Sequence, residues 1–157
     1  MRLTIRPVEA KDLPALKIIL GTIELFPPEM LDDMISDFLT NPETNAIWFA
    51  AEQDAELVGL AYCDQEMLTE GTFNLYAIGV RADLQSRGIG AQMMQYLEAY
   101  LQERKHRILI VETSGLPTFA ATRRFYEKLG YTLEARIRDF WAKGDDKVIF
   151  WKNLEND

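Results

Sequence analysis

The chain has 157 residues, 48% hydrophobic, 27% charged and 11% aromatic, a profile that fits one globular domain and excludes a disordered or fibrous chain. Its 17 Lys and Arg against 25 Asp and Glu leave a net charge of −8. That balance argues against nucleic acid as a partner, because phosphate binding needs a surplus of cations on one face, and favours a cationic or amine-bearing partner.

The N-terminal RLTIRPV alternates like an edge or half-buried strand. Asp12 then caps a helix with Pro14 in its first turn and Leu13, Leu16, Ile19 and Leu20 on one face. Two prolines in GTIELFPPEM break the pattern, and EMLDDMISDFL spaces Met30, Met34, Ile35, Phe38 and Leu39 along a second helix. AIWFAAE and ELVGLAYCD read as a hairpin closed at QDA, with TFNLYAIGV as a third neighbouring strand. From Ile89 the set Met93, Met94, Leu97, Tyr100 and Leu101 keeps helical spacing to about Arg104. RILIVET reads as a central strand covered on both faces. Pro117 opens a last helix, capped by Gly130, and YTLEARIRDFW and KVIFWKN close the chain as a hairpin. The order β-α-α-β-β-β-α-β-α-β-β predicts a mixed α/β domain around one sheet, a single domain over 1–157.

No apolar run is long enough for a membrane span, and the N-terminus lacks the apolar core of a signal peptide, so a cytoplasmic protein with no membrane partner is expected. Cys63 is the only cysteine and His106 the only histidine, too few for a metal centre. Cys63 reads as a packed core thiol, and His106 as a structural or solvated histidine at a helix end, where a cationic group suits the macrodipole.

The stretch LQSRGIGA lies between a strand ending at Val80 and a helix starting near Gly88. Gly88 and Gly90 lack a β-carbon and Arg87 adds a cation, so the backbone N–H groups of a helix N-terminus are offered to a phosphate or pyrophosphate. A purely structural tight turn fits the same residues. A P-loop pattern is absent, and a Rossmann fingerprint would need glycine where Met93 stands, although Glu112 mimics that fold's ribose-binding acid.

QSRGIG, with Gln85, Gly88 and Gly90, resembles motif A of the GNAT superfamily of acetyl-CoA-dependent N-acetyltransferases, [QR]-x-x-G-x-[GA]. LYAIGVRADLQSRGIGAQMM is similar to that family's fourth strand, pyrophosphate loop and third helix, and ATRRFYEKLGYTLEARIRDFW to its motif B. The resemblance covers essentially the whole chain and implies the GNAT acyl-CoA N-acyltransferase fold. It implies that the backbone of Gln85, Ser86, Arg87, Gly88, Ile89, Gly90 and Ala91 holds the pyrophosphate of acetyl-CoA, that Ile78 and Val80 pair with pantetheine, and that Tyr126 protonates the leaving thiolate. Phe125 and Tyr131 are expected in the core.

Two positions depart from the family pattern. Asn74 stands where some members carry a glutamate base, which leaves Glu66, Glu70, a water chain or an already neutral amine for that role, and Phe119 stands where asparagine is common. The acceptor is an amine of a small molecule or peptide, with Phe26, Asn74, Tyr76 and Trp141 as candidate pocket residues. No metal is implied, and a homodimer is left open. The rival readings are a coenzyme A-binding module without catalysis and a Rossmann-like nucleotide-binding protein.

Overall fold

The computed structural model of the protein describes residues 2–155. Its elements follow the predicted order: β1 (Leu3–Pro7), α1 (Leu13–Leu20), α2 (Leu31–Thr40), β2 (Ile47–Gln53), β3 (Glu56–Gln65), β4 (Thr72–Val80), α3 (Ile89–Glu103), β5 (Ile108–Ser114), α4 (Ala120–Lys128), β6 (Thr132–Ala142) and β7 (Asp145–Asn153). The seven strands make one mixed sheet in the order β1-β2-β3-β4-β5-β7-β6. β4 and β5 run parallel, which requires a crossover, and α3 is that crossover. The chain divides into two compact units, one comprising residues up to Asp64 with Tyr76–Ala99, the other Gln65–Leu75 with the chain from Tyr100 onward.

In the first unit, Leu16, Ile19 and Leu20 of α1 and Leu31 and Ile35 of α2 bury one helical face each against Trp48, Ala50 and Leu60. Each such side chain stabilises the fold by about 2 kcal/mol through area removed from water. The sequence had placed Met30 on that face. It is exposed instead, because a tight turn over Pro28–Met30 precedes α2 and puts Leu31 inward. A similar turn over Ala10–Asp12 precedes α1, and there too the expectation needs correction. The Asp12 carboxylate does not cap α1. It accepts two bonds from the Arg6 guanidinium at 2.8 and 3.0 Å and one from the Glu9 N–H at 2.8 Å, which fastens β1 to the turn. The β2–β3 hairpin turns at Asp54 and Ala55, both left-handed with φ of 52° and 66°.

In the second unit, Leu109 and Val111 are buried while Ile108 and Ile110 are only half so. β5 therefore alternates, where the apolar run had suggested burial on both faces. The end of α4 is set by Gly130 at φ +90°. Its N–H donates to the Glu127 carbonyl at 3.0 Å and the Tyr131 N–H to the Tyr126 carbonyl at 3.1 Å, the paired bonds of a Schellman stop. That stop turns Tyr131 into the core.

Candidate active site

The loop after β4 is built by its own side chains. Val80 ends the strand, and Gln85 folds back so that its Nε2 donates to the Val80 carbonyl at 3.1 Å, fastening the loop to the strand end. Arg81 is held by Asp83 at 2.7 Å and Glu56 at 3.5 Å. Ser86 at φ 64° and Gly88 at φ 82° are both left-handed and flank the exposed Arg87. A β-carbon on Gly88 would meet nothing within 4 Å, so glycine is required there by conformation and not by space. The Gln92 N–H donates to the Gly88 carbonyl at 3.1 Å, the first bond of α3. The amides of the first turn, through Ile89, Gly90 and Ala91, precede that ladder and are the donors that a helix N-terminus offers an anion. Ile89 buries its side chain, anchoring the turn, while Gly88 is exposed and Gly90 and Ala91 are half-buried.

Further along the same unit, Ile78 and Val80 are half-buried on β4. The β4–β5 ladder runs from Thr72↔Ile108 to Leu75↔Val111, and both residues lie beyond it. Gly79 allows a close approach of the segment after α1: a β-carbon there would lie 2.5 Å from Ile23 Cδ1 and 3.1 Å from Leu25 Cδ2. Phe26 ends that segment, partly buried against the core of the unit. Tyr76 is 49% exposed, and its ring stacks on Tyr62 at 5.4 Å, which stacks on Trp48 at 4.4 Å. Sequence reasoning missed Tyr62. The signal was available in hairpin register, since Trp48 and Tyr62 are cross-strand partners. Burial, and then the neighbouring Asp64 charge, push the Tyr62 phenol up to about 12.

The second unit holds Tyr126, Asn74 and Trp141, each with its own partners. Tyr126 is 4% exposed and packs against Phe125, Tyr131 and Phe150 at ring distances of 5.1, 5.8 and 5.6 Å. Burial pushes its phenol well above the ordinary tyrosine range, so it holds its proton at any physiological pH. Arg123 donates to the carbonyls of Ser114 and Leu116 at 2.8 and 2.9 Å, tying α4 to the end of β5. Phe119, just before α4, is substantially exposed. Asn74 is 1% exposed and its Nδ2 donates to Glu66 Oε1 at 2.8 Å, whereas Glu70 is exposed. Trp141, half exposed, donates from Nε1 to the Thr113 carbonyl at 3.3 Å. Glu112 is 2.7 Å from Lys147, an ion pair that occupies the carboxylate proposed as a ribose acid. His106 lies just beyond the end of α3 and is packed as a structural histidine. Its ring lies 4.4 Å from that of Phe73, and burial followed by the Arg104 charge lowers its pKa.

Comparison with known proteins gives a consistent answer. A comparison with curated proteins found no match. Among solved structures, a protein from Desulfovibrio desulfuricans described as an acetyltransferase of the GNAT family is 28% identical, with a TM-score of 0.89 over 98% of this chain and 100% of that one. The ribosomal-protein-S18-alanine N-acetyltransferase of Escherichia coli shares the fold at 22% identity, with a TM-score of 0.80 over 99% of this chain and 96% of that one. So does an aminoglycoside 6'-N-acetyltransferase in complex with coenzyme A, at 18% identity, with a TM-score of 0.76 over 98% of each chain. Residues 11–131, from the start of the first helical segment to the end of the α4 stop, match the model of the acetyltransferase (GNAT) family, and the chain belongs to that family.

Proposed function

We propose that the protein transfers the acetyl group of acetyl-CoA to a primary amine of a small molecule or peptide, by direct attack while both are bound. The observation that carries this reading is the run from Val80 to Ala91, where left-handed Ser86 and Gly88 deliver the first-turn amides of a 15-residue helix beside an exposed arginine. A pyrophosphate needs that combination of backbone donors and absent side chains. Ile78 and Val80 would pair with the pantetheine amides, as an added strand does at a free sheet edge. Two structural neighbours are named as N-acetyltransferases, one acting on a protein alanine and one on an aminoglycoside, which supports nitrogen as the acceptor atom.

In this reading the amine attacks the acyl carbon, and Tyr126 gives its proton to the departing thiolate. Burial keeps the Tyr126 phenol protonated at physiological pH, the form that a proton donor must have. Phe26 and Tyr76 would contribute apolar wall to the acceptor. The test begins with the donor. Gly90→Asp puts a side chain and a negative charge where the pyrophosphate is to sit, so acetyl-CoA binding should weaken severely by calorimetry. Unchanged affinity in a folded Gly90→Asp protein would remove the assignment. A wild-type protein that binds acetyl-CoA yet turns over no amine would favour the binding module without catalysis.

A further inference from the structure

Among the described residues, two buried side-chain polar atoms find no hydrogen-bond partner, Trp48 Nε1 and Asn74 Oδ1. Leaving an amide oxygen dry and unpaired costs about 1–3 kcal/mol, so an asparagine that served packing alone would be a poor choice at this position. Its buried neighbours on β4, Phe73 and Leu75, are apolar. The other half of the same amide is engaged: Nδ2 donates to Glu66 Oε1 at 2.8 Å. That bond also fixes which end of the amide faces the carboxylate, since two acceptors set against each other would repel.

The turn between β3 and β4 holds Glu66 firmly. Its N–H donates to the Thr72 carbonyl at 2.8 Å, its carbonyl accepts from Thr69 Oγ1 at 2.8 Å, and Gln65 Nε2 closes onto the Thr69 carbonyl at 3.0 Å. The result is two adjacent acceptors on one rigid hairpin: an amide oxygen with no proton to give and a half-buried carboxylate. A group that supplies the missing partner of Asn74 Oδ1 and also reaches the carboxylate must bring N–H donors and have a proton to lose. A protonated primary amine brings three.

We propose that Asn74 and Glu66 together seat the acceptor amine, Asn74 as the positioning residue and Glu66 as the proton acceptor. The inference rests on the acetyl-transfer reading above. Asn74 Oδ1 accepts one N–H of the ammonium and Glu66 takes another proton outright, giving a neutral amine and a carboxylic acid. The freed lone pair forms the C–N bond, the C–S bond breaks, and its electron pair leaves on sulfur, which takes the Tyr126 proton; the acylated nitrogen then sheds its remaining extra proton, which returns Tyr126 to the phenol, leaving an amide and the free thiol of coenzyme A. The amide of Asn74 keeps the carboxylate aimed and orders the nitrogen in one step.

The experiment starts with thiol release from acetyl-CoA by the wild-type protein with spermidine, kanamycin, lysine and an alanine-ended peptide, and continues with the fastest of these amines. Glu66→Gln keeps a partner for Asn74 and should fold normally, yet kcat should fall by about 100-fold or more, with the calorimetric acetyl-CoA affinity changed little. Glu66→Asp should recover part of the rate, and Glu66→Ala should be rescued by added formate. In a second readout, adding the amine to the protein saturated with coenzyme A should shift the Asn74 side-chain amide ¹⁵N resonance. A Glu66→Gln kcat within twofold of wild type overturns the proposal, as does an Asn74 resonance that the amine leaves unmoved. A wild-type protein that binds acetyl-CoA but acetylates none of the amines sinks the acetyl-transfer reading, and this one with it.

Discussion

The Tyr126 hydroxyl is held in surroundings where a phenolate would be costly, and this separates its two contributions. The ring packs against three other aromatics, so Tyr126→Phe should keep the fold and the acetyl-CoA affinity. If chemistry limits turnover, kcat should drop by about 10²- to 10⁴-fold, the usual weight of a general acid. Full kcat in the variant would end that role. Because burial raises its pKa, the donor should stay protonated through the ordinary tyrosine range near pH 10. No alkaline fall in kcat should therefore arise from it. Asp12 shows the opposite shift: hydrogen bonds from Arg6 outweigh desolvation and hold its carboxylate below the usual range. A depressed carboxylate contributes stability that is present above its unfolded value, about 3.9, and is lost as pH falls through the folded one. Asp12→Asn should cost about 2 kcal/mol in urea unfolding at pH 7, and the gap from wild type should close below about pH 4.

Elements were legible where period and punctuation agreed. The strand-like run TFNLYAIGV marked β4 from Thr72 to Val80 and the helical stripe marked α3 from Ile89, both as found. Gly130 could be read as a helix stop because φ > 0 is something glycine supplies without strain, and Gly130→Ala should cost about 1 kcal/mol although its β-carbon would clash with nothing. Urea midpoints would measure it. The tight turns ahead of α1, α2 and α4 escaped, since a few residues of threefold winding look like the helix they precede. Ala55 escaped too, as nothing in QDA announces a left-handed alanine. Ala55→Gly should stabilise the hairpin by about 0.5 kcal/mol, seen as a raised unfolding midpoint. The loop residues of the candidate site were readable as a local pattern. The link between Asn74 and Glu66 was not, because it joins residues eight apart in sequence and depends on how the turn between β3 and β4 closes.

For the molecule as a whole, a net charge of −8 should draw a polycationic acceptor from a distance, so kcat/KM for spermidine should fall as salt rises, more steeply than for a monoamine. An equal salt response for both would argue that only local contacts matter. The burial of Cys63 bears on how such rates can be read. It is the one cysteine in the chain, fully buried in β3, and burial raises its pKa well above the usual thiol range. The native protein therefore presents no thiolate to a colorimetric thiol reagent, and signal above background comes from released coenzyme A. Unfolding exposes one further equivalent per chain, so a single cuvette reports turnovers while the enzyme is intact and counts denatured molecules once it is not.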